Sequence, residues 1–182
     1  MLLIQRHWRL QLPLLDMRNI IAIPLLGLAV IAQSAIVGQF SLLAGYADLL
    51  LVILAAWALQ EGVTTAFQWA FLASVMISFI SHLPWIVYFL GYFGVVIMAL
   101  LLQRRVWQVP LLAMVSVTFL GTLFMHLLSY LYLRMSGTPL SFTDSMGLIT
   151  LPSLLLNMFI AIPLYGMMRD LARWVFPSLE GA

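Results

Sequence analysis

Three polar side chains lie inside long apolar stretches of this sequence and are its first candidates for chemistry. They are Asp48 in AGYADLLL, His126 in FMHLLSY and Asn157 in PSLLLNMFIAIPLY. A carboxylate inside a membrane could bind a cation, relay a proton or pair with a partner, because an unpaired charge is costly there. Asp48 could instead cap the beginning of a helix near the membrane surface, where the helix dipole favours negative charge. The residues alone leave both interpretations of Asp48 open.

The other two side chains favour structural hydrogen bonds. A single histidine such as His126 more often bonds to a nearby hydroxyl or a neighbouring helix than relays protons or contacts a ligand. A mid-membrane amide such as Asn157 usually bonds across helices, which contributes about 0.6–2 kcal/mol, and it could also contact a partner protein. Pro152 and Pro163 flank Asn157. Because each proline removes a backbone donor, they predict a bent helix.

These polar residues form no recognisable catalytic or metal-binding pattern. The sequence has no cysteine, which excludes thiolate metal sites and cysteine nucleophiles. It also lacks a Ser–His–Asp set, an HExxH motif, a phosphate-binding glycine loop and paired intramembrane carboxylates. We therefore predict that the protein is not an enzyme and that it holds neither a cofactor nor a metal.

The composition identifies the environment of these residues. Of 182 residues, 64% are hydrophobic and 8% are charged, whereas soluble domains are about 45–50% apolar and about 25% charged. Soluble and disordered classes are therefore excluded. All eight basic residues are arginines, and they form no stripe that would bind nucleic acid. We predict an all-α integral membrane protein in the lipid bilayer.

Apolar stretches of about 20 residues predict a bundle of six transmembrane helices with short loops in a single domain, residues 1–182. Residues 1–18 form an interfacial lead-in, and the predicted spans are about 19–37, 42–59, 63–80, 85–102, 110–133 and 146–168. The first could alternatively be a cleaved signal segment, since Ala32-Gln33-Ser34 resembles a cleavage site, but further spans favour an anchor. Residues 134–145 are the clear polar loop.

The arginines predict the orientation of the bundle. Six spans leave Arg134 on one side and place the other seven arginines on the opposite side: Arg6, Arg9, Arg18, Arg104, Arg105, Arg169 and Arg173. Positive residues favour the cytoplasmic side. We therefore expect both termini in the cytoplasm and the loop at 134–145 outside.

Two segments resemble the MreD family of rod shape-determining membrane proteins. In that family's C-terminal helix, a mid-helix asparagine precedes apolar residues, a proline or small residue and basic residues; these correspond here to Asn157, Pro163, Arg169 and Arg173. The family's second span commonly begins with Pro-Asp/Asn and leucines, and here Asp48 matches while the proline is absent. The third span departs from the family, because TAFQWAFLASVMISFI lacks the glycines and aspartate often found there.

The resemblance implies a non-enzymatic scaffold subunit of the bacterial cell-wall elongation complex, multi-pass in the inner (cytoplasmic) membrane. Such a subunit binds MreC directly and, through the complex, helps organise RodA, the elongation transpeptidase and MreB to maintain rod shape. Asp48, His126, Asn157 and Pro163 would then be helix–helix or partner contacts. We expect co-purification with MreC and no tightly bound small molecule.

A second hypothesis is the substrate-binding subunit of an energy-coupling-factor-type vitamin transporter. Those subunits are of similar size and also have six spans. This function requires a polar pocket near the outer face, which Asp48, His126 and Asn157 could line, and a small-residue face on the first span. The first span has Ala29, Ala32 and Ala35 at three-residue spacing rather than in a clean AxxxA pattern.

Overall fold

The computed structural model describes residues 20–35, 37–103 and 109–176, and within these ranges the chain is helical without β-strands. Six main helices follow in order: α1 Ala22–Ala35, α2 Leu49–Ala58, α3 Ala66–Ser78, α4 Trp85–Gln103, α5 Pro110–Met135 and α6 Leu151–Val175. A short 3₁₀ helix, Val37–Gln39, follows α1. One helical turn, Phe142–Asp144, and a π-helical segment, Ser145–Thr150, lead into α6. The predicted helical class is confirmed, and the predicted lead-in at 1–18 lies outside the described residues.

Among the residues that the structure describes, four helical segments are long and apolar enough to cross a membrane: Ala22–Gln39, Trp85–Gln103, Pro110–Met135 and Phe142–Val175. The remaining two, α2 and α3, are apolar but shorter. At about 1.5 Å per residue, α2 is about 15 Å long, roughly half of the hydrocarbon thickness of a bilayer. The helices are therefore unequal in length, and several of them could cross a membrane.

The short helix α2 is the centre of the bundle. Its sequence, LLLVILAAWA, is apolar on every face, and residues 50–58 are all buried. A helix that is hydrophobic all round is a buried helix. α2 contacts each of the other five helices, so its position determines how they pack.

Small residues bring α4 and α5 together. A Cβ atom added at Gly91 would overlap the Met125 side chain, and one added at Gly94 would overlap the ring of Phe124. Gly121 on α5 approaches Val95 on α4 in the same way. Because Gly91 and Gly94 have no side chain, the backbone of α4 can lie close to Met125 and Phe124 of α5.

The helices alternate in direction, so that α1, α3 and α5 end where α2, α4 and α6 begin. We call this the cavity end, because one cavity there is lined from all six segments, including by Gln33, Asp48, Ile77, Tyr88, Leu133 and Ile149. Arg134 is in the last turn of α5 at this end. Arg173 is in the last turn of α6, at the opposite end.

The predicted second span is not helical along its whole length, and the sixth helix ends at Val175, beyond the predicted end at 168. Residues 42–59 are apolar enough for one helix, but α2 begins only at Leu49. Before it, the backbone forms a turn in which Leu42 and Gly45 exchange two hydrogen bonds, at 3.0 and 2.9 Å. Leu43 has the left-handed φ of 55° within this turn. The backbone N–H groups of Ala44, Tyr46 and Asp48 instead donate to α6 and the segment that leads into it.

Candidate functional site

The residues just before α2 are held by side chains from α1 and α6. Gln33 on α1 donates from Nε2 to the carbonyl of Ala47 at 2.6 Å, and its Oε1 accepts from the N–H of Leu49 at 2.8 Å. One amide therefore satisfies a donor and an acceptor on either side of Asp48. Irregular backbone at membrane depth is tolerated only when protein groups satisfy it in this way.

Two side chains of α6 complete this arrangement. The N–H of Tyr46 donates to Ser153 Oγ at 3.0 Å, and the N–H of Asp48 donates to Asn157 Oδ1 at 2.6 Å. Asn157 also donates from Nδ2 to Thr122 Oγ1 on α5 at 2.9 Å. We call Gln33, Ser153 and Asn157 the clamp. Through it, the beginning of α2 is bonded to α1 and α6, and Asn157 extends the connection to α5.

The backbone of α6 contributes directly as well. Pro152 has no N–H, so it cannot donate to the carbonyl of Leu148 as a residue four positions along a helix normally would. The N–H of Ala44 donates to this carbonyl at 3.0 Å instead. The approach is close, because a Cβ atom at Gly45 would lie 2.6 Å from the Ile149 carbonyl oxygen and 2.7 Å from the Ser153 nitrogen. Only glycine fits between the two segments.

Asp48 is the N-cap of α2. Its Oδ1 accepts from the N–H of Leu51 at 2.9 Å, as N-cap side chains do. The hydroxyl of Tyr92 on α4 donates to the same carboxylate, at 3.2 Å from Oδ1 and 3.4 Å from Oδ2. The capping geometry considered for Asp48 is thus present. Asp48 also lines the cavity. Its role as a helix cap therefore leaves the residue accessible to a molecule bound in the cavity.

His126 and Pro163 occupy different surroundings. Nδ1 of His126 pairs with Thr150 Oγ1 at 3.2 Å, across to the π-helical segment before α6. This is a bond to a neighbouring helix, as expected from the sequence, and the imidazole also lines the cavity. Pro163 lies inside α6 on an exposed face, away from the cavity lining.

The cavity has a volume of about 320 Å³, which is at the lower end of the range for small-molecule pockets. Its polar lining includes Gln33, Asp48, Tyr88, Tyr92, His126 and Ser129. Asn157 is fully buried and is not part of the lining, because its amide is bonded within the clamp. The structure therefore brings Asp48 and His126 to one cavity, places Asn157 behind Asp48, and leaves Pro163 apart.

Sequence reasoning missed four participants: Gln33, Thr122, Ser153 and Tyr92. The isolated amide of Gln33 within a predicted span was an available signal, since a buried amide needs partners. Thr122, Ser153 and Tyr92 gave no such signal, because hydroxyl side chains are common in membrane helices. Among the described residues, no group of three or more His, Cys, Asp or Glu side chains could hold a metal ion.

No protein-family model, curated protein or solved structure matches this chain. Its function is therefore inferred from the clamp, the cavity and the sequence resemblance.

Proposed function

We propose that this protein is a non-enzymatic, multi-pass scaffold subunit of the MreD type in the bacterial inner membrane, which binds MreC and helps the elongation complex maintain rod shape. One observation carries the proposal. The two segments that resemble the family, around Asp48 and Asn157, contact each other through the 2.6 Å hydrogen bond between Asp48 N–H and Asn157 Oδ1. The two residues are 109 positions apart in the chain. Since both segments resemble the same family and also contact each other, they support a fold shared with that family.

The distribution of polar groups also favours a scaffold. The clamp side chains bond within the chain, which leaves the outer faces of the helices apolar. On α1, Ile23, Leu28 and Ile31 are each more than half exposed. Surfaces of this kind contact either lipid or another transmembrane helix, and the transmembrane helix of MreC is the partner we propose. RodA, the elongation transpeptidase and MreB would associate through that complex.

The direct test is co-purification of the full-length protein with MreC in mild detergent, followed by mass spectrometry of proteins and small molecules. We expect MreC in amounts comparable to the bait. Asn157→Ala should reduce MreC retention, because the clamp holds the helices whose outer faces form the docking surface, whereas Leu155→Ala, at an exposed position on α6 rather than on the α1 face, should not. Recovery of transporter ATPases without MreC would overturn the scaffold proposal.

In this proposal the chain passes through the bilayer six times, the second time as the irregular segment 42–48 together with the short helix α2, and the cavity end faces outside. The support is the placement of Arg134 at the cavity end and Arg173 at the opposite end, together with the preference of arginine for the cytoplasm. Because the chain has no cysteine, single cysteines can report the orientation. We expect Ser141→Cys to react with an impermeant maleimide in intact cells, and Asp170→Cys only after lysis. The reverse pattern would refute the orientation.

The cavity favours a second candidate, the substrate-binding subunit of an energy-coupling-factor-type vitamin transporter. That function requires a polar pocket near the outer face, and in the orientation proposed above the cavity, with its polar lining, would be such a pocket. The same purification distinguishes the candidates, because this one predicts a vitamin or the transporter ATPases in the sample and no MreC.

A further inference from the structure

The carboxylate of Asp48 has no positively charged partner in the part of the chain that the structure describes. There, the ion pair within bonding distance is between Arg169 and Asp170, at the opposite end. Neutral donors from Leu51 and Tyr92 contact the carboxylate, but they do not neutralise it. A charge removed from water is normally compensated by a paired ion. A cation entering the cavity would provide that compensation.

Aromatic side chains surround the same space. Tyr46, Tyr88, Tyr92 and Tyr130 all line the cavity, and the ring centroids of Tyr88 and Tyr92 are 5.8 Å apart. The faces of aromatic rings attract cations, and several rings together with a carboxylate are typical of sites for organic ammonium groups. A volume of about 320 Å³ limits the ligand to a small molecule.

Other ligand classes fit the cavity less well. An anion would meet the Asp48 carboxylate, and no arginine lines the cavity within the described residues. A tightly held metal ion needs more ligands than one carboxylate and one imidazole, and His126 already uses Nδ1 on Thr150. The lining therefore favours a positive charge with apolar substituents.

We propose that the cavity binds a small organic ammonium ion, with the Asp48 carboxylate as its counter-ion and the cavity tyrosines around its charged group. This inference does not depend on the scaffold function, because a bundle can bind MreC on its outside and a ligand at one end. If the protein is instead a transport subunit, the inference names the chemical class of its substrate.

The first test uses the unmodified protein in lipid nanodiscs. Binding of choline, ethanolamine and tetramethylammonium is measured by isothermal titration calorimetry. Each cation is compared with an uncharged analogue of the same shape. For choline, the analogue is the alcohol that has a carbon atom in place of the ammonium nitrogen. We expect saturable binding of at least one cation, at least about tenfold tighter than its analogue. Equal binding of cation and analogue, or no cation binding at millimolar concentration, would overturn the proposal.

Variants then test the residues. Asp48→Asn retains an acceptor for Leu51 and Tyr92, and it should weaken cation binding at least about tenfold. Asp170→Asn, at the opposite end, is the matched control and should bind as the original does. If Asp48→Asn fails to fold, the cation affinities of Tyr88→Leu and Tyr88→Phe are compared instead. Only Tyr88→Leu removes the aromatic ring, so only this variant should bind the cation more weakly. Unchanged affinity in Asp48→Asn, or in Tyr88→Leu, would refute the site, whereas MreC retention tests the scaffold separately.

Discussion

The backbone N–H of Asp48 donates a hydrogen bond to the side-chain oxygen of Asn157 at 2.6 Å, although the residues are 109 positions apart. The other end of the same amide donates to Thr122 on α5. Asn157 therefore joins the beginning of the central helix to two long helices. Because α2 contacts all the other main helices, this single side chain helps to position the whole bundle.

Asn157→Ala should destabilise the protein by about 1–3 kcal/mol, because it leaves the partly buried backbone N–H of Asp48 and the buried hydroxyl of Thr122 without their partner. The free energy of unfolding can be measured by detergent titration monitored by circular dichroism. Leu155→Ala is the control on the same helix, since Leu155 is 60% exposed, and it should change stability little. Equal losses in the two variants would show that the amide bonds contribute nothing specific.

Two threonines one turn apart on α5 allow the contribution of a hydrogen bond to stability to be measured apart from that of packing, because only one of their hydroxyls is bonded. Thr122 accepts from Asn157, whereas the hydroxyl of Thr118 is buried without a partner in the described structure. Thr122→Val should therefore cost about 1 kcal/mol. Thr118→Val should be neutral or stabilising, because it removes an unsatisfied buried hydroxyl. The same unfolding measurement applies, and a larger loss for Thr118→Val would contradict the assigned bonding.

Gly45→Ala should disrupt the contact between the turn before α2 and the segment leading into α6. The added methyl group would lie 2.6 Å from the Ile149 carbonyl oxygen, and a backbone atom cannot move aside as a flexible side chain can. We expect a loss of about 1–3 kcal/mol or more, visible as a lower midpoint in thermal unfolding. Gly147→Ala, at the same end, meets nothing within 4 Å and should be tolerated.

Gly94→Ala should force the ring of Phe124 on α5 out of its present position, since a methyl group at Gly94 would overlap that ring. Overpacking of this kind costs about 1–3 kcal/mol. Gly166→Ala on α6 meets nothing within 4 Å, and should stabilise by up to about 1 kcal/mol, because alanine favours helix over glycine. Thermal unfolding of both variants checks the prediction, which fails if their midpoints shift equally.

The boundaries of α4 and α5 were predictable because the signals that set them are local, whereas α6 ends at Val175, beyond its predicted end at 168. Predicted spans at 85–102 and 110–133 correspond to Trp85–Gln103 and Pro110–Met135, since each is a continuous apolar run and proline favours a first helical turn. The beginning of α2 was not predictable in this way. Residues 42–48 are apolar enough for a helix, and their irregular backbone depends on Gln33 and Ser153, which lie outside that window.

The sequence by itself determined the all-helical class, the apolar surface and the uneven distribution of arginine, because each is a property of composition or of a short window. Tertiary structure decided what the few polar side chains do. It made Asp48 both a helix cap and part of a cavity, and it turned Asn157 into a bond between three helices. Hydropathy is a sum over neighbours in the chain, whereas a hydrogen bond requires two particular atoms about 3 Å apart, and only the folded arrangement of distant segments sets that distance.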